Sequence, residues 1–155
     1  VEQGFQVLLL DNDPQGNLTS YLTGTSPDAI KPASAETAAD SESLVKCTLD
    51  ELYLLKRPLQ FDDLKDRFID SYKIGFDFIS SSKELSSVEY YLFSKPDREY
   101  VLKSQIKSAL GNYDFIFIDN PPSMNLLTLN ALVASKEIII PVQTEFFSLE
   151  GIVKM

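Results

Sequence analysis

The 155-residue chain has no histidine, no tryptophan and a single cysteine, Cys47. Without histidine there is no Ser-His-Asp or Cys-His catalytic pair and no imidazole to hold zinc or haem. One cysteine cannot close an intramolecular disulfide, nor build a paired-cysteine zinc site or an iron–sulfur cluster within one chain. Glycine is scarce too: the six glycines (Gly4, Gly16, Gly24, Gly75, Gly111 and Gly151) never cluster, and no Gly-Lys pair occurs. A phosphate-cradling P-loop needs both, because backbone amides hold the phosphates while the lysine neutralises their charge. Any catalysis must therefore run on carboxylates, hydroxyls, lysines, backbone amides or a bound metal.

Positive charge is also short, with 14 basic against 23 acidic residues and a net charge of −9. Nonspecific DNA affinity comes from Lys and Arg displacing phosphate counterions, and no basic cluster stands out in this stretch. No apolar run approaches the ~18 residues that span a membrane. The first residues, VEQGFQ, carry no signal-peptide pattern, so the expected location is cytoplasmic.

What is present is an alternation of apolar runs and helical periods. Phe5–Leu10 (FQVLLL) is a short apolar strand that stops at the turn Asp11-Asn12-Asp13-Pro14-Gln15-Gly16-Asn17, with a short helix through Thr19–Leu22. Residues 23–43 hold no aromatic residue and one large aliphatic, Ile30, and a flexible insertion is expected over residues 23–47. Thr48-x-x-Glu51, Ser81-x-x-Glu84 and Ser94-x-x-Asp97 read as three helix starts, each followed by leucines or other aliphatics at helical spacing: Leu49, Leu52 and Leu55; Leu85, Val88 and Leu92; Leu102, Ile106 and Leu110. Ile74–Ser80 alternates like a strand, Asp114–Asp119 (DFIFID) is another, and Glu137–Pro141 (EIIIP) reads as a third buried strand. A helix is expected over 126–135, and a last one near Phe147–Glu150. This order predicts an α/β fold: a mostly parallel sheet with helices on both faces.

Ligands of such sheets bind at the carboxyl ends of the strands. Asp11 and Asp13 follow the first strand and Asp119 closes FIFI. Four apolar residues and an aspartate have the form of a Walker B strand, whose carboxylate holds Mg²⁺ directly or through water. The same string fits many buried strands without a ligand. Asp11 and Asp13 equally suit a turn in which their side chains bond nearby amides, and Pro121-Pro122 suits a rigid strand exit.

Three collinear strings, DNDPQGNLT, FIFIDNPPSMNLLTLNAL and IIIPVQTEFFSLEG, closely resemble the ParA/Soj group of the ParA/MinD family of partitioning ATPases. The resemblance implies a P-loop NTPase-like fold, with ATP and Mg²⁺ as ligands. It gives Asp13 the positioning of the hydrolytic water, Asp119 the metal shell, and Asp11 a place beside the metal and its waters. Pro121 and Pro122 open the second switch, and Gln143 and Glu145, with Phe146 and Phe147, fall in a motif near nucleotide and dimer interface. Asn12 and Asn120 depart from the family's usual small or apolar residues there. The family's glycine-rich loop is absent, so residues 1–155 read as an internal fragment of one ATPase domain, incomplete at both ends and inactive alone. The implied whole is an ATP-dependent homodimer acting in chromosome or plasmid partition. It would work with a ParB-like DNA-bound adaptor on nonspecific DNA, which this stretch would not bind, and it would associate with the nucleoid but with no membrane. Two alternatives stay open: a non-catalytic fragment or interaction module of the same fold, and a MinD-like or cellulose/capsule-associated relative.

Overall fold

A computed structural model describes residues 4–26, 46–71 and 75–141. Most of the expected 23–47 insertion, the start of the Ile74–Ser80 strand and the helix near Phe147–Glu150 lie outside the described residues.

The described elements run β1 (Val7–Asp11), α1 (Asn17–Thr23), α2 (Leu49–Leu54), α3 (Phe61–Phe68), β2 (Asp70–Ser71), β3 (Asp77–Ile79), α4 (Leu85–Phe93), α5 (Val101–Gln105), β4 (Phe115–Asp119) and α6 (Leu126–Ala134). The strands form one sheet in the order β2-β3-β1-β4. Strand β1 pairs in parallel with β3 and β4, as the alternation of strands and helices requires, and its register with β4 runs from Val7 opposite Phe115 to Asp11 opposite Asp119. The two-residue β2 adds an antiparallel edge that no sequence pattern announced.

Helices α2 to α6 share one core with the sheet. Leu8 and Leu10 of β1 and Ile79 of β3 meet Leu52 and Tyr53 of α2, Leu64 and Phe68 of α3, Leu85, Val88 and Leu92 of α4, Leu102 of α5, and Leu127 and Ala131 of α6. Each fully buried aliphatic side chain of this kind contributes roughly 1.5–3 kcal/mol. On the opposite sheet face Phe115 and Phe117 are 47% and 46% exposed, with Phe5 edge-on to Phe115.

Three expectations are corrected. Glu137–Pro141 forms no strand: Ile138, Ile139 and Ile140 are 64%, 78% and 53% exposed. An apolar run becomes a strand only through a ladder partner, and among the described residues no strand pairs with the outer edge of β4. Ser94-x-x-Asp97 opens no helix. Ser94 instead caps the end of α4, and Asp97 adopts a left-handed backbone, φ 54°, before a 3₁₀ turn over Arg98–Tyr100 leads into α5. After Ile106 the chain tightens again to 3₁₀ over Lys107–Ala109. At three residues per turn the buried position slips from i+4 to i+3, so Ala109 is buried while Leu110 is left 52% exposed. The third correction concerns Ser81, which caps no helix because its hydroxyl and amide are used at the carboxyl edge of the sheet.

Candidate functional site at the carboxyl edge of the sheet

Strands β1 and β4 end side by side, and the loops that leave them meet. The Asn12 amide donates to the Asp119 carbonyl at 2.8 Å, extending the ladder one residue past the strands. The chain then winds tightly. The Asp13 carbonyl accepts from the Gly16 amide at 2.8 Å, and Asp13 Oδ1 accepts from the Gln15 amide at 2.9 Å. Gly16, at φ +58°, supplies the left-handed step that turns the backbone into α1, a conformation costly to side-chain-bearing residues.

Asp11 is directed inward. Its carboxylate is fully buried; Oδ2 accepts from the Thr19 amide at 2.7 Å and the Thr19 hydroxyl at 2.6 Å, and Oδ1 from the Asp13 amide at 3.2 Å. Burial raises its pKa above the ordinary carboxylate value, against the Thr19 and Asp13 hydrogen bonds, with the Asp119 charge adding to the rise. In this conformation its oxygens are not open to a cation, and the group anchors the loop to the first turn of α1.

Ser81, just beyond β3, completes the anchor. Its amide donates to Thr19 Oγ1 at 2.9 Å and its hydroxyl to the Asp13 carbonyl at 2.7 Å. Ser82 donates to the buried Asp50 carboxylate of α2 at 2.6 Å, tying that helix to the same edge.

Asp119 is exposed at the sheet edge and Asp13 is half-buried beside it. Desolvation raises the Asp119 carboxyl above its ordinary value, the negative charge of Asp13 raises it further, and the Asn120 amide opposes both. Two carboxylates that repel each other at an open edge suit a hard cation with oxygen ligands, which would relieve the repulsion. Among the described residues no group of three or more His, Cys, Asp or Glu side chains converges to hold a metal ion unaided. That fits Mg²⁺, which keeps waters and substrate phosphates among its ligands and takes one or two carboxylates from the protein.

Pro121 is half-buried and Pro122 exposed as the chain leaves Asn120. The loop is closed by α6: Asn125 Oδ1 caps the Thr128 amide at 2.9 Å, and the Thr128 hydroxyl returns to the Ser123 carbonyl at 2.8 Å. Asn130, fully buried, accepts from the Leu102 amide at 3.1 Å and donates to the Arg98 carbonyl at 2.8 Å, locking α6 against the start of α5. Thus the polar residues of the LLTLNAL string hold the fold. Gln143 and Glu145 lie outside the described residues. A cleft of about 520 Å³ opens elsewhere, between the end of α2 and α5, where Arg57, Lys95, Tyr100 and Gln105 line it and none of the motif aspartates does.

Sequence reasoning placed Asp13 and Asp119 together and missed Thr19, Ser81 and Tyr53. Thr19 stood inside the quoted DNDPQGNLT string and was a readable signal. Ser81 carried none, since its partners lie on distant elements, nor did Tyr53, whose hydroxyl donates to Asn12 Oδ1 at 3.0 Å.

A family model described as an AAA domain matches residues 1–155. The chain is 37% identical to the sporulation initiation inhibitor protein Soj of Bacillus subtilis over 149 residues, 96% of this chain and 51% of that protein. It is 33% identical to the chromosome partitioning protein ParA of Myxococcus xanthus over 149 residues, 95% of this chain and 44% of the relative. Among solved structures, a cobyrinic acid a,c-diamide synthase from Mycobacterium smegmatis, crystallised with an ATP analog and magnesium, superposes with a TM-score of 0.76 at 30% identity, over 99% of this chain and 54% of that one. The chain spans about half the length of the relatives it matches.

Proposed function

Because the chain belongs to the ParA/Soj family of partitioning ATPases, we propose that the protein hydrolyses ATP with Mg²⁺ to drive the partition of a chromosome or plasmid. The observation that carries this reading is the pairing of Asp11 with Asp119 at the carboxyl edge, which sets Asp13 close enough to Asp119 to raise its carboxyl. Asp13 would accept a hydrogen bond from the attacking water and orient it, and Asp119 would hold the metal. When bound, Mg²⁺ supplies charge neutralisation on the phosphates. Asp11, buried and hydrogen-bonded to Thr19, fixes the backbone from which Asp13 acts. Pro121 and Pro122 stiffen the exit from Asp119, and Gln143 and Glu145 contribute near the nucleotide or the dimer interface.

A glycine-rich phosphate-binding loop is absent from these 155 residues, and in this reading it belongs to another part of the same protein. The stretch by itself then turns over no ATP. In the ATP state the protein is a homodimer in the cytoplasm, on nonspecific DNA, answering to a ParB-like DNA-bound adaptor. No described helix is long and apolar enough to cross a membrane. The likeness to a synthase crystallised with an ATP analog supports the nucleotide chemistry, and the likeness to Soj and ParA supports the partition role.

The test is phosphate release with magnesium by the full-length protein. Turnover that falls by roughly 10²–10⁴ in Asp13→Ala supports the reading. A full-length protein with no turnover, alone or with DNA and adaptor, overturns it in favour of a non-catalytic interaction module.

A further inference from the structure

The two departures from the family strings, Asn12 and Asn120, lie 108 positions apart and touch: Asn12 Nδ2 donates to Asn120 Oδ1 at 2.9 Å. We propose that this amide pair is a latch that makes the loop after β1 and the loop after β4 move as one unit, so that Asn12 and Asn120 are positioning residues for Asp13 and Asp119.

Asn12 is fully buried, and every polar atom of its side chain has a partner. The second Nδ2 hydrogen goes to the Leu127 carbonyl in the first turn of α6 at 3.1 Å, and Oδ1 accepts from the Tyr53 hydroxyl of α2 at 3.0 Å. Tyr53 is itself fully buried and its pKa is raised by that burial, so the phenol stays protonated and remains a donor. Asn120 is held in place by its own Nδ2, which donates to the Ile118 carbonyl at 2.9 Å and leaves Oδ1 facing Asn12. One side chain therefore joins β1, α2, α6 and the loop after β4. The backbone bond from Asn12 to the Asp119 carbonyl runs beside it, so the two loops are tied twice within a single residue of each catalytic carboxylate. If either loop shifts alone, a buried donor is left without an acceptor, a state penalised more heavily than the bond itself is worth. Small or apolar residues at both positions would keep the backbone bond and lose the side-chain tie.

The proposal rests on the hydrolase reading for its consequence but not for its test, which is amide hydrogen exchange in the full-length protein. Asn120 is half-buried, so Asn120→Ala removes the latch without opening the core. Losing one such bond is expected to speed exchange roughly three- to tenfold, and a latch spreads that change across the gap to the amides of Asp13, Gln15 and Gly16. The reciprocal variant, Asn12→Leu in a Tyr53→Phe background so that no phenol is orphaned, should loosen residues 120–125 by a similar factor. Core amides of Leu8 and Leu10 should stay unchanged in both. Where hydrolysis is measurable, kcat should fall with the exchange while KM for ATP stays within about twofold. Faster exchange confined to the mutated loop overturns the latch, as does a uniform rise that includes Leu8 and Leu10. Coupled exchange in a protein that hydrolyses no ATP would sink the proposed function and leave the latch standing.

Discussion

Strands β1 and β4 share a pattern, apolar residues closed by an aspartate, and they lie paired in parallel along their full lengths. They end in opposite circumstances. β1 sits between β3 and β4, with Leu8, Leu10 and Asp11 fully buried. Among the described residues β4 is the sheet's outer strand, with Phe115, Phe117 and Asp119 exposed. The buried aspartate spends its oxygens on Thr19 and the Asp13 amide. The exposed one meets only the Asn120 amide and the charge of Asp13 at the edge. A hydrophobic run with a terminal aspartate therefore specifies a place in the fold, and the flanking strands decide whether that aspartate is buried or open to solvent.

The contrast predicts its largest effects inside β1. Leu10→Ala should cost about 2–5 kcal/mol, whereas the equivalent truncation on the open face, Phe117→Ala, should stay within about 1 kcal/mol. Denaturant unfolding of the full-length protein measures both. Next comes the aspartate pair itself. Asp11→Ala strands the Thr19 amide and hydroxyl inside the protein and should destabilise by about 2–4 kcal/mol. The same change at Asp119 should leave the unfolding midpoint nearly unmoved, because it removes an exposed charge that repels Asp13. Equal losses at the two positions would erase the distinction between them.

The smallest effect is on pH dependence. Asp11 and Asp119 both have carboxyls raised above the ordinary value of 3.8. A raised folded-state pKa means that the folded protein holds the proton more tightly than the unfolded chain does. The stability this contributes is fully present below the unfolded value and is lost as pH rises through the raised one. Asp119→Asn should flatten that decline, and a stability–pH curve identical to that of the unsubstituted protein would contradict the rise that desolvation and the Asp13 charge give this carboxyl.

The two strands also show what was readable in the sequence. The apolar runs, their terminal carboxylates and the parallel pairing followed from composition and order, because each is local or set by how βαβ units connect. The apolar faces of α2 and α4 followed from helical spacing. The failures share a cause in tertiary contacts. Glu137–Pro141 has strand chemistry but no strand to pair with among the described residues. Ser81 had the spacing of a helix cap, yet its bonds reach back 62 and 68 residues to Thr19 and Asp13. Leu110 lost its core position to Ala109 through a change of helical pitch that no spacing rule anticipates. Asn12 and Asn120 were visible as unusual residues, but their contact was not.

In the function proposed above, Asp11 maintains the edge while Asp119 works at it, a division of labour that one comparison isolates. Its most direct test is phosphate release by full-length Asp119→Ala, measured beside its denaturant midpoint. The account predicts turnover reduced at least about 100-fold at an unchanged midpoint. Retained turnover, or a midpoint that falls as far as that of Asp11→Ala, would contradict it.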